Sequence, residues 1–160
     1  MSGERMNDYS DYSENNNNDP KVPKDSKDPK IKNMKTIAII CGGDSSEHDV
    51  SMRSATGIES FIDKDRYKVY KVELKAGLWE AILPDGSRSK VDRNDFTFVT
   101  ESGETVRPDF CYITIHGAPG ENGVLQGYFD LIGMPYSTSG VLVEALTFDK
   151  FVLNNYMRSL

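Results

Sequence analysis

The stretch Met34 to Ser54, MKTIAIICGGDSSEHDVSMRS, restricts the fold of this 160-residue chain more than any other. Thr36, Ile37, Ile39 and Ile40 are β-branched, and a run that is apolar at nearly every position predicts a parallel strand covered on both faces. Gly42 and Gly43 end it. From Glu47 onward, Ser51, Ser54, Ala55, Ile58, Phe61 and Ile62 recur at three- and four-residue steps, the spacing of one helical face, with Ser45 or Ser46 as the expected cap. A strand feeding a helix across a tight loop puts Glu47 at a ligand crevice, where the first helical turn presents unpaired N–H groups. The glycine pair is not the G-x-G-x-x-G dinucleotide fingerprint, because no third glycine follows before Gly57. Two readings of the stretch stand at this point. Glu47 faces a ligand, or it complements the positive end of the helix dipole while the glycines only make the turn.

The rest of the chain repeats the pattern. Tyr67, Val69, Tyr70, Val72 and Leu74 predict a second strand, and strand, helix, strand makes a parallel unit. Leu78 to Leu83 run into Pro84, Asp85 and Gly86, a hairpin turn signal. The segment from there through Val91, Phe96 to Val99 and the turn at Ser102 and Gly103 reads as a small antiparallel insertion in which Trp79 packs. Asp109 to His116, DFCYITIH, predicts another buried strand. It opens into the loop GAPGENG and a helical face of Val124, Leu125, Tyr128, Phe129 and Ile132. A short strand around Met134 to Tyr136 leads to the loop STSG at 137 to 140 and a short helix through Val141, Leu142, Ala145 and Leu146. Asp149 starts the last helix, with Val152, Leu153, Tyr156, Met157 and Leu160 as its apolar face. The predicted class is α/β, a doubly wound, mostly parallel sheet that gathers the Glu47 loop, the His116 loop and the 137 to 140 loop at one carboxyl edge. The chain stops within a helical pattern and without a glycine cap, which reads as a fragment of a longer protein.

Composition bears on the ends and on partners. Residues 1–33 hold the run SENNNNDP and three prolines, with too few apolar side chains to offset the ordering entropy, so a disordered tail is expected. Its seven acidic and six basic residues make it no basic arm. It lacks an apolar signal-peptide core, and Met34 is an alternative start. Residues 34–160 carry 18 acidic and 13 basic side chains, a balance that argues against nucleic acid as partner. No run is long and apolar enough for a membrane span. Cys41 and Cys111, each in a predicted buried strand, read as reduced core thiols of a cytosolic protein.

Three segments carry a resemblance. GGDSSEHDVS at 42–51 is similar to the GG-x-S-x-E-x-x-V-S segment of the D-alanine-D-alanine ligases of the ATP-grasp superfamily. ITIHGAPGENGVLQGYFDLIGMPYSTSG at 113–140 is similar to their HG-x-x-GE-[DN]-G-x-x-QG segment and the PY-x-x-SG after it, and FDK at 148–150 to the lead into the next domain. The match covers 34–160, leaves out the tail, and implies the N-terminal, substrate-side domain, with a Rossmann-like pre-ATP-grasp fold. The resemblance implies an enzyme that joins two D-alanines for peptidoglycan synthesis through a D-alanyl phosphate, using ATP and magnesium, in the cytoplasm and as a homodimer when full length. By matched position, Glu47 is expected to hold the ammonium of the first D-alanine and Ser139 to hydrogen-bond Glu47 and orient the site. His116 is expected near the first substrate's carboxylate and the developing acyl phosphate, and Lys150 near the nucleotide phosphates. His48 falls where the motif is loose and is given no catalytic role. The domains expected to grip ATP and magnesium lie beyond Leu160, so the chain alone is expected to be inactive. Two other readings remain: a non-catalytic small-ligand module on the same scaffold, and a related ligase making D-alanyl-D-lactate or a D-serine dipeptide.

Overall fold

The computed structural model describes residues 34–160, and the expected disorder of 1–33 lies outside the described residues. Within them, β1 (Lys35–Gly42), α1 (His48–Phe61) and β2 (Tyr67–Lys75) form the first unit, followed by β3 (Leu78–Ile82) and β4 (Arg88–Lys90). Then come β5 (Phe98–Val99), β6 (Thr105–Val106), β7 (Phe110–Ile113) and the helices α2 (Val124–Leu131), α3 (Val141–Phe148) and α4 (Lys150–Arg158). The main sheet has the order β4-β3-β2-β1-β7. β1 lies parallel to both β2 and β7, as its apolar, β-branched run predicts. Cys111 makes one further parallel bridge to Tyr136, which is all that forms of the short strand expected around 134–136.

Alternation along β1 divides the core between the two faces of the sheet. Ile39 and Cys41 pack with Ala55 and the half-buried Met52 and Ile58 under α1. Ala38 and Ile40 face the other way, toward Leu125 and Phe129 of α2. The helices after β1 and after β7 therefore cover opposite faces, and the connections diverge from the β1/β7 boundary. That is the doubly wound arrangement, and its crevice lies at the carboxyl ends of those two strands. Asp109 fixes the opposite ends in register, binding the Lys35 ammonium at 2.7 Å and the Thr36 N–H at 2.8 Å. The two cysteines are buried and unlinked, and burial pushes the Cys41 thiol up to about 12, so it stays protonated.

The middle segment is antiparallel, as expected, and most of it joins the main sheet. β3 and β4 extend the main sheet itself beside β2, and only β5 and β6 form a separate ribbon. The cause is the short Ala76–Gly77 turn, which folds β3 straight back onto β2's free edge. Phe96, Phe98, Val91 and Val106 then cap the α2 side of that extension, with Trp79 edge-on to Phe96 and Tyr128 as a packing residue. Phe61, expected in the buried stripe of α1, is 91 % exposed. It occupies the last helical position at the margin of the stripe, and Ile62 turns extended and packs in its place. Among the described residues no helix is long and apolar enough to cross a membrane.

Candidate functional site

The loop after β1 leaves the sheet at Gly42 and Gly43, and Gly43 (φ +92°) fits only without a side chain, since a Cβ there would lie 2.7 Å from Ile115. That close approach brings the β1 and β7 loops together. The Ser45 hydroxyl donates to the His116 carbonyl at 3.0 Å and accepts the Glu47 N–H at 3.2 Å. Ser45 thus acts as a clamp between loops rather than the helix cap; the cap position of α1 is Glu47, without a side-chain cap bond. The N–H groups of Asp49 and Val50 have no partner among the described residues, so the start of this 14-residue helix keeps free donors and its positive end.

Beneath the loops, Ser51 is fully buried. Its hydroxyl donates to the Thr114 carbonyl at 2.9 Å and accepts the Gly42 N–H at 3.0 Å, while Thr114 donates its own hydroxyl to the Ile40 carbonyl at 3.0 Å. This stitch joins β1, α1 and the end of β7. Sequence reading places Ser51 on the apolar stripe as a small residue, and a hydroxyl on an otherwise apolar face was the available signal for more.

His48 turns away from the mouth. Its Nε2 lies 2.9 Å from Glu73 Oε1 on β2, and Glu73 in turn meets the Arg88 guanidinium. Burial pushes the Glu73 carboxyl upward, yet Arg88 and His48 outweigh it and hold the group below its ordinary value. His48 is a fastener of α1 to β2, in line with its lack of a catalytic assignment.

The second loop closes on itself. Glu121 Oε2 accepts the Gly117 N–H at 2.8 Å, and its other oxygen lies 4.0 Å from His116 Nδ1. A cleft of about 350 Å³ opens beside it, lined by His116 and Glu121, by Thr138 and Glu144, and by Ser54 and Ile58 of α1. A larger cleft of about 540 Å³ lies at the amino ends of the strands, near Met34 and Tyr67, away from all three matched segments. The smaller cleft is the one at the crevice where doubly wound sheets bind ligands.

The structure unites some of the expected residues and not others. Glu47 and His116 stand on loops clamped to each other at the carboxyl edge of β1 and β7. The expected Glu47–Ser139 hydrogen bond is not formed: neither the Glu47 carboxylate nor the Ser139 hydroxyl has a hydrogen-bond partner among the described residues. In that loop it is Thr138 that reaches the cleft, because the Ser139 N–H is held by Glu144 Oε1 at 2.9 Å. Lys150 is exposed at the first position of α4, after Asp149, whose carboxylate accepts the Phe151 and Val152 N–H groups at 3.0 Å. Among the described residues no three His, Cys, Asp or Glu side chains converge as a group that could hold a metal ion.

Residues 36–139 match the family described as D-ala D-ala ligase N-terminus. The chain belongs to that family. It is 61% identical over 124 residues to the D-alanine--D-alanine ligase of Phocaeicola vulgatus, a match covering 78% of this chain and 38% of that protein. The D-alanyl-alanine synthetase A of Vibrio cholerae shares the fold with a TM-score of 0.68 at 31% identity, over 79% of this chain and 37% of that one. The VanG D-Ala:D-Ser ligase of Enterococcus faecalis does so with a TM-score of 0.67 at 26% identity, over 78% and 41%. The chain thus spans well under half the length of the relatives it matches.

Proposed function

We propose that residues 34–160 are the substrate-side domain of an ATP-dependent D-alanine-D-alanine ligase acting in cell-wall synthesis. The reading is supported most by the Ser45 to His116 hydrogen bond of 3.0 Å, which joins two of the matched segments beyond the carboxyl ends of β1 and β7 in a chain of this family. There the Glu47 carboxylate holds the ammonium of the first D-alanine by a charge-assisted hydrogen bond. The free N–H groups at the start of α1 favour an anionic group nearby, and His116 stands by the carboxyl carbon that becomes activated. Ser139 is not carried forward as the residue that orients Glu47. The Ser45 hydroxyl, bonded to the Glu47 N–H, is better placed for that task.

ATP and magnesium belong to the polypeptide that the longer relatives possess and 34–160 does not include, with Lys150 extending toward the nucleotide phosphates from this side. Homodimeric assembly and a cytoplasmic location form part of the same proposal and rest on the family alone. Because a D-Ala:D-Ser ligase shares this N-terminal fold, the choice of second substrate is assigned to the remaining domains.

The test is a chimera in which residues 34–160 replace the matching part of the Phocaeicola vulgatus ligase. D-alanine-dependent ATP hydrolysis with D-alanyl-D-alanine as product is expected. A folded chimera without that activity, or one that binds D-alanine and never turns over, refutes the proposal and favours the binding module.

A further inference from the structure

The proposed function leaves the QG pair at Gln126 and Gly127 without a role. Gln126 lies in the first turn of α2 and is fully buried. Its Nε2 donates to the Gly120 carbonyl at 2.6 Å and to the Thr138 hydroxyl at 2.9 Å. Gly120 closes the loop that begins at His116, and Thr138 belongs to the third loop of the crevice. One buried amide therefore ties two of the three loops together.

The Gln126 Oε1, by contrast, meets no donor among the described residues. A buried acceptor without a partner destabilises the fold, and a Met of similar length would fill the space without that cost. Packing alone thus gives no reason for an amide here. Loop position does. The 117–121 loop rests on Ile115 so closely that a Cβ on Gly120 would lie 2.6 Å from the Ile115 carbonyl. Its inner bonds, Gly120 and Glu121 N–H to the Gly117 carbonyl at 2.9 Å, make it one rigid unit. That unit is held from outside by the Leu125 N–H to the Pro119 carbonyl at 3.1 Å, by Gln126, and at its base by the Ser45 hydroxyl on the His116 carbonyl at 3.0 Å; of these only Gln126 also reaches Thr138. Releasing Gln126 lets the unit, with His116 at its base, shift relative to Thr138.

We infer that Gln126 is a positioning residue: it fixes the His116–Glu121 loop against the 137–140 loop and so sets where His116 stands over the first substrate. The last step rests on the proposed function, whereas the grip on the loop does not. Gln126→Met removes both donations and the orphan acceptor at similar shape, and Gln126→Asn keeps the amide but falls one methylene short of spanning both acceptors.

Hydrogen exchange of the 160-residue chain is read first. In both variants the hydrogen-bonded amides of Gly117, Gly120, Glu121 and Ser139 are expected to exchange roughly tenfold faster, with β1 unchanged. Unchanged loop exchange overturns the inference, whatever the chimera does. In the chimeric ligase, Gln126→Met is expected to lower kcat roughly tenfold with little change in KM for the first D-alanine, and to add nothing in a His116→Ala background. Equal losses with and without His116 mean that Gln126 acts by general stability, and also overturn it. An unmutated chimera without activity sinks the proposed function instead, and the exchange result still decides the hold on the loop.

Discussion

Two regions of the molecule answer the same kind of sequence pattern in opposite ways. At the junction of β1, α1 and β7, amphipathic periodicity meets a sheet face. Ala38, Ile39, Ile40, Cys41 and Ala55 are wholly buried, and the polar groups among them are bonded through Ser51 and Thr114. In α3 and α4 the periodicity is as clear, yet neither helix buries a single side chain. Leu142, Phe151 and Met157 are left open, and Leu160, expected on the apolar face of the last helix, lies past its end at Arg158. A 3.6-residue repeat specifies a face and not what covers it. Burial comes from the partner, and in the junction the partner is on the same 127 residues of sheet and helix.

That contrast can be broken by substitution. The largest effect is expected at Phe129, fully buried against Phe96 at 5.2 Å between ring centres: Phe129→Ala should cost about 3–5 kcal/mol by urea unfolding. Phe151→Ala, on the open face of α4, should fall within about 0.5 kcal/mol. Equal losses would erase the difference between the regions. Next is Ser51→Ala, which leaves the Gly42 N–H without a partner in a buried place and should cost about 1–3 kcal/mol. Its counterpart in the open region is Asp149→Ala, which removes the α4 cap for about 1 kcal/mol, seen as lost helicity with the main unfolding transition unmoved. A shifted main transition would show α4 to be coupled to the core.

The smallest effect concerns pH. Glu73 is held below its ordinary value in the folded chain by Arg88 and His48 against the pull of burial. A depressed folded value means that the unfolded chain takes up the proton first. The contribution is therefore full above the ordinary carboxylate range and is lost as pH falls through the folded value. Stability should decline on acidification, and Glu73→Gln should flatten that part of the curve. An unchanged slope in the variant would place the acid sensitivity elsewhere.

Residues with a strong local signature were legible in the sequence. The β-branched run at 36–40 and the glycines after it located the central strand and the crevice, and Asp149 located the start of α4. Features set by tertiary partners were not. The sequence shows a hairpin at Pro84 to Gly86 but not that β3 joins β2's edge, and it shows hydroxyls at 137–139 without saying that Thr138, not Ser139, turns inward. Nor does periodicity reveal that His48, one residue after the proposed ligand, is drawn off to Glu73. The His48 contact lies 25 residues away in sequence, and the other two depend on local backbone turns that the hydrophobic pattern does not encode.

The proposed first-substrate site stands or falls on Glu47. In the chimeric ligase, Glu47→Gln should raise KM for the first D-alanine roughly ten- to a hundred-fold, the equivalent of one charge-assisted hydrogen bond at about 1.5–3 kcal/mol. The second D-alanine and ATP should be little affected. Steady-state kinetics with the two D-alanine sites resolved measures this directly, and an unchanged first-site KM in a folded, active Glu47→Gln enzyme would contradict the assignment of this crevice.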